Sequence, residues 1–73
     1  MTWNYRVLNH GDQFAIHEVY YDESGVAVSF TEKPSFPRGK DFEALSEDFQ
    51  RYSSAFEKPV LWVGDGDKLV EQN

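Results

Sequence analysis

Within "HEVYYDE", residues 17–23, stand one histidine, two glutamates and an aspartate, with two tyrosines among them. Imidazole and carboxylates at this density are the ingredients of a divalent-metal site or of an acid–base pair. Built on His17 with Glu18, Asp22 or a carboxylate from another chain, they would serve a small hydrolase or a metal-dependent enzyme. The spacing points elsewhere. His17 and Glu18 are neighbours in an apolar, β-branched and aromatic run, and neighbours on a strand face opposite ways. Asp22 and Glu23 fall at a chain reversal, where Asp is favoured for its own local hydrogen bonds. The stretch therefore reads as a strand entering a turn, with no catalytic, cofactor-binding or metal-binding residue assigned and no cofactor expected.

Two other segments carry chemistry-bearing residues. "GDGD", 64–67, places two aspartates one residue apart, but it lacks the glycine and glutamate that complete a calcium loop. It reads as a flexible acidic loop. "KPSFPRGK", 33–40, gathers Lys33, Arg38 and Lys40 in an otherwise acidic chain and holds Phe36 between two prolines. A proline-stiffened loop showing an aromatic ring and cations is a candidate binding loop for an acidic partner or a phosphate. The competing reading is a plain connector with Phe36 tucked against the core edge.

The elements that position these residues follow from periodicity. Residues 2–9 alternate, with Trp3, Tyr5 and Val7 opposed to Asn4, Arg6 and Leu8, as a strand does. His10 and Gly11 suit a two-residue hairpin loop. Residues 13–21 make a second strand, and "DESG", 22–25, a second turn with Gly25 at a left-handed bulge position. Residues 26–32 alternate again. Pro34 and Pro37 interrupt the loop 33–40. Phe42, Leu45, Phe49, Tyr52 and Phe56 then recur at intervals of three and four, the stripe of a helix over 42–58 that Asp41 would cap and Pro59 would end. "VLWV", 60–63, allows a short fourth strand, and 64–73 is a polar tail. The expected fold is α+β in a single domain: an antiparallel meander of three or four strands with one helix on one face (βββα, with a possible short final β).

Hairpin register assigns the faces. A His10–Gly11 loop sets Asn9 against Asp12 and Val7 against Phe14. A three-residue second turn sets Tyr20 against Val28 and Glu18 against Phe30. Trp3, Tyr5, Val7, Phe14, Ile16, Tyr20, Val26, Val28 and Phe30 then look toward the helix, and Phe49 is expected to be buried beneath it. Leu8, Ala15, His17, Val19 and Tyr21 look away. An apolar sheet face with no helix over it is a candidate interface, and these five residues are its centre.

The whole chain sets the outer bounds. Seventy-three residues bury a small core, and with no cysteine there is no disulfide to reinforce it. Oligomerisation is the remaining common support, so a homodimer is expected. A formal charge of −6 disfavours nucleic acid and anionic membranes. No apolar run of about 18 residues suggests a transmembrane helix. The N-terminal residues lack a basic stretch followed by an apolar one, so a cytoplasmic protein is expected.

The segments "WNYRV", "HEVYYDESG" and "FEKPVL" resemble a family of short uncharacterised bacterial proteins, a likeness that implies no known activity. Residues 26–49 are also similar in layout to HicB-type antitoxins, which have a partial ribonuclease H-like fold. There a strand ending at Ser29-Phe30 leads through a loop with Pro34 to Gly39 and a helix opening "DFEAL", 41–45. That likeness implies a βββα unit, dimerisation and a protein partner. No DNA-binding region like that group's is expected alongside it, which puts the autoregulation of that group in doubt here. The expected function is a non-enzymatic protein-interaction module.

Overall fold

A computed structural model of the chain describes residues 2–71. The elements run β1 (Thr2–Asn9), β2 (Phe14–Tyr21), β3 (Ala27–Phe30), α1 (Phe42–Ser53), β4 (Leu61–Val63) and β5 (Leu69–Glu71). The fold is α+β. Its sheet is mixed and five-stranded, in the order β3-β2-β1-β4-β5, rather than an antiparallel meander of three or four strands. The difference arises after the helix. The chain crosses a sheet face as α1 and returns beside β1 in the same direction, pairing Leu8 with Leu61 and Asn9 with Trp62. A helical crossover of this kind is the ordinary route to a parallel neighbour. β1 thus lies at the centre, and Tyr5 to Asn9 are buried on both faces.

Both hairpins differ from the expected register. Asn9 pairs with Phe14, not Asp12, because the loop has four residues, with His10 N–H donating to the Gln13 carbonyl at 2.9 Å and Gly11 at φ +94°. The slip is two residues, so every side chain of β2 keeps its face. The second difference has larger consequences. Tyr21 pairs with Ala27 but Tyr20 pairs with Ser29, leaving Val28 as an extra residue in a bulge. One inserted residue reverses the faces beyond it. Phe30 therefore pairs with Val19 and lies on the face opposite the helix, while Val26 and Val28 are exposed.

The region expected to be a polar tail, in which Leu69 and Val70 could dock, is a hairpin over its described residues. Gly64 N–H donates to the Lys68 carbonyl at 2.8 Å, and Gly66 and Asp67 both take positive φ. β5 then pairs antiparallel with β4. The last positions of the tail, 72 and 73, lie outside the described residues. β5 also reaches β3, so the sheet curls until its two edges approach each other. Leu8, Val19 and Leu61 are buried inside the curl, packed by Tyr21, Ala27, Phe30, Val63 and Leu69. The apolar face that no helix covers is thus closed by the sheet itself.

The other face carries Tyr5, Val7, Ile16 and Ala55, with Tyr52 and Val60 against them. The helix begins as expected, with the Asp41 carboxylate accepting from Ala44 N–H at 2.8 Å. It tightens to a 3₁₀ turn over Ser54–Glu57 before Pro59. Its seating is not as expected. Asp48 is the buried residue of α1, and Phe42, Leu45 and Phe49 are exposed, as is Phe56 in the 3₁₀ turn. Residues 48 and 49 stand roughly 100° apart around a helix, so Phe42, Leu45 and Phe49 are turned a quarter-circle away from the sheet, while Tyr52 of the same stripe stays against the core.

Substitution separates these two environments. Leu61→Ala should lose about 2–5 kcal/mol in urea unfolding, the usual cost of emptying a core site. Phe49→Ala should lose under about 1 kcal/mol, as exposed positions do. Equal losses would mean that the helix sits stripe-down after all.

Candidate functional site

His17 is 1% exposed and enclosed by polar partners. Its Nδ1 lies 2.8 Å from the Thr31 carbonyl, which can only accept, so Nδ1 carries the proton and donates. In the neutral ring Nε2 then holds a lone pair. It faces His10 Nε2 at 3.0 Å, which must donate to it. Burial pushes the His17 imidazole below its ordinary range; the bond to Thr31 opposes this and the nearby His10 adds to it. This ring ties the β1–β2 loop and the end of β3 to the second strand. Its lone pair is engaged and covered, so it has no access to a substrate.

The carboxylates of the same stretch are not gathered around it. Glu18 is on the helix side, where Tyr20 Oη donates to it at 3.0 Å and is thereby made harder to ionise. Asp22 accepts from Ser24 N–H at 2.8 Å and Val26 N–H at 3.0 Å, closing its turn. Glu23 is exposed in that turn. Among the described residues no group of three or more His, Cys, Asp or Glu side chains is arranged to hold a metal ion.

The five candidate interface residues divide. Leu8, His17 and Val19 are buried within the chain, and Ala15 and Tyr21 are half-buried. In the candidate binding loop, Lys33, Phe36, Arg38 and Lys40 are all exposed. The loop is pinned at both ends. Ser35 N–H donates to the Ile16 carbonyl at 2.9 Å, and Arg38 N–H donates to Asp48 Oδ2 at 2.8 Å. The Arg38 guanidinium lies 5.0 Å over the Phe36 ring. Gly39 is required for the turn into the helix, because a Cβ there would strike Leu45 N and the Ala44 backbone.

Asp48, a residue that the hydrophobic periodicity passes over, holds this region together. It is 7% exposed in the middle of α1. Tyr5 Oη donates to its two oxygens at 3.1 Å each. Arg51 adds an ion pair at 3.4 Å. Burial alone would raise the Asp48 carboxyl. The bonds from Arg38 N–H and Tyr5, with the Arg51 charge, outweigh it and hold the group below the usual carboxylate range. Burial and the same carboxylate push the Tyr5 phenol up to about 12. The readable signal was a second row of small and polar residues, Ala44, Asp48 and Ala55, beside the aromatic one.

With Asp48 facing inward, one flank of the helix is left apolar and open. Pro37, Phe42, Leu45, Ser46 and Phe49 line a groove of about 300 Å³. Beyond it, Val7, Phe14, Ala15, Ile16, Tyr52 and Phe56 line a second crevice of about 250 Å³. Phe42, Phe49 and Phe56 are 87%, 56% and 73% exposed. Comparison with protein-family models, with curated proteins and with solved structures finds no match.

The Tyr5–Asp48 pair makes stability depend on pH at both ends. The native Asp48 value is depressed, so its contribution is complete above the ordinary value of 3.8 and is lost as pH falls through the lower native one. The native Tyr5 value is raised, so its contribution is complete below pH 10 and is lost between 10 and about 12. Asp48→Asn should cost about 1–3 kcal/mol near neutrality by leaving buried donors poorly met. It should also lower the Tyr5 titration midpoint, followed by tyrosinate absorbance. An unmoved midpoint would rule out the contact.

Proposed function

We propose that the chain is a non-enzymatic protein-interaction module that recognises another protein surface through the apolar flank of α1. The observation that carries this reading is the exposure of three phenylalanines along that flank. Aromatic side chains normally supply the buried payload of a small core. Here they are held at the surface beside a sheet that already has a core on each face. An apolar patch of this extent on a small domain is unfavourable in water and marks a contact site.

The rival reading, hydrolysis or metal chemistry at His17 with Glu18 or Asp22, has no support from the geometry: the imidazole is enclosed, and each carboxylate is used where it stands. The likeness to HicB-type antitoxins belongs with the interaction reading. It adds a protein partner as the kind of target, carried on the loop-to-helix passage through Gly39 and Asp41.

Residues kept for recognition should be dispensable for folding. Phe42→Ser and Phe56→Ser, melted at submicromolar concentration, should each stay within a few degrees of the unmodified chain, since exposed substitutions cost about 0.5 kcal/mol or less. A collapse of the melting transition in either variant would assign these rings to the core and remove the recognition surface.

A further inference from the structure

The apolar flank has a symmetry of its own. Phe42, Phe49 and Phe56 follow one another at intervals of seven, the first spanning two turns of α1 and the second running from α1 into the 3₁₀ turn. Reversed end to end about Phe49, the three rings map onto one another, although Leu45 then falls on Ser53 and Ser46 on Tyr52. The residues between them on that flank, Leu45, Ser46 and Ser53, carry no charge. The exposed acidic residues of the helix, Glu43 and Glu47, project from other sides of it.

We propose that the partner on this flank is a second copy of the chain, packed as an antiparallel helix pair about a two-fold axis at Phe49. This inference rests on the flank being a recognition surface. In the pair, Phe49 meets its own copy, and Phe42 of each chain meets Phe56 of the other. Offset or edge-to-face rings suit both contacts. A two-fold contact buries the same patch twice, so a single stripe supplies both sides.

Area and charge both favour this occupant. The exposed portions of Phe14, Phe42, Leu45, Phe49 and Phe56 amount to on the order of 600 Å² per copy, given the size of an aromatic side chain. A stable standard interface uses about 800 Å² per partner, so this stripe, together with Phe14 of β2 and the serine rim, is of the right order. Two chains of formal charge −6 repel each other. They approach at least cost through a face that bears no carboxylate. A nucleic acid or an anionic lipid surface would need clustered cations, which the flank does not have.

The chain has no cysteine, so introduced thiols report on geometry without interference. In sedimentation equilibrium across micromolar concentrations, the mass should rise from that of a monomer to twice that value. Phe49→Asp should hold it at the monomer by setting two carboxylates face to face on the axis. Val28→Asp, at an exposed apolar position on β3, should leave the association unchanged. Under mild oxidation Phe49→Cys should link to itself. Phe42→Cys mixed with Phe56→Cys should link faster than either alone. Far-UV circular dichroism of each variant shows that it has folded. A monomer at every concentration, a dimer indifferent to Phe49→Asp, or a 42–42 link as fast as the 42–56 link would each overturn self-pairing. A monomeric result with Phe42→Ser and Phe56→Ser still harmless to folding would overturn self-pairing alone and point to a different protein on the same flank. Unfolding of those serine variants would overturn the recognition reading itself.

Discussion

The placing of one carboxylate decides how the rest of the molecule is arranged. Asp48 accepts from the Tyr5 hydroxyl on the central strand and from the Arg38 amide in the preceding loop. A buried carboxylate is tolerated only when its lone pairs are met. That requirement fixes which side of α1 faces the sheet. Once it is met, the neighbouring stripe of phenylalanines has no place beneath the helix. The polar anchor and the exposed aromatic flank are therefore two results of a single rotation. In this helix hydrogen-bond satisfaction, and not apolar burial, sets the orientation.

The sheet solves a different problem. Three antiparallel strands with apolar residues on both faces and one helix would leave Leu8 and Val19 in water. The chain closes that side by extending the sheet past β1 and curling it. Leu61, Val63 and Leu69 arrive from β4 and β5, and the β3 bulge turns Phe30 inward to meet them. Arg6 lies on this side as well, donating to Tyr21 Oη at 2.8 Å and to the Pro59 carbonyl at 2.7 Å. Its guanidinium is held by neutral acceptors, which binds the segment after the helix to β1 and fixes where β4 begins.

Much of this was legible in the residues, and the losses have identifiable causes. The first two strands, the Asp41 cap and the opposite facing of His17 and Glu18 follow from period-two and capping chemistry alone, and a two-residue register slip left the faces of β2 intact. The fate of Phe30 was not legible, because a bulge inserts one residue without any change in composition. The parallel return of β4 depends on where a helix deposits the chain, which local pattern does not encode. The helix stripe was read correctly as a stripe and placed on the wrong side. Hydrophobic periodicity ranks faces by apolar content, and it has no weight for a tyrosine across the sheet that needs an acceptor. For that reason it passed over Phe42, Phe49 and Phe56; it pointed to Leu8, Val19 and Tyr21 as the open surface because the added β4 and β5 strands and the β3 bulge that close that face were not foreseen.

The central position of β1 also orders the events of folding. Its antiparallel neighbour β2 is joined to it by a short loop, and such hairpins form in about 1–10 μs. Its parallel neighbour β4 lies beyond the whole helical crossover, so that pairing must wait for a much longer segment to close. During the interval one edge of β1 stands open, with Leu8 and Val19 uncovered beside it. The hairpin is thus a transient template for any extended apolar strand. Docking of Leu61 against Leu8 withdraws that template, and a slower crossover lengthens the time in which strands of separate chains can pair at the wrong edge.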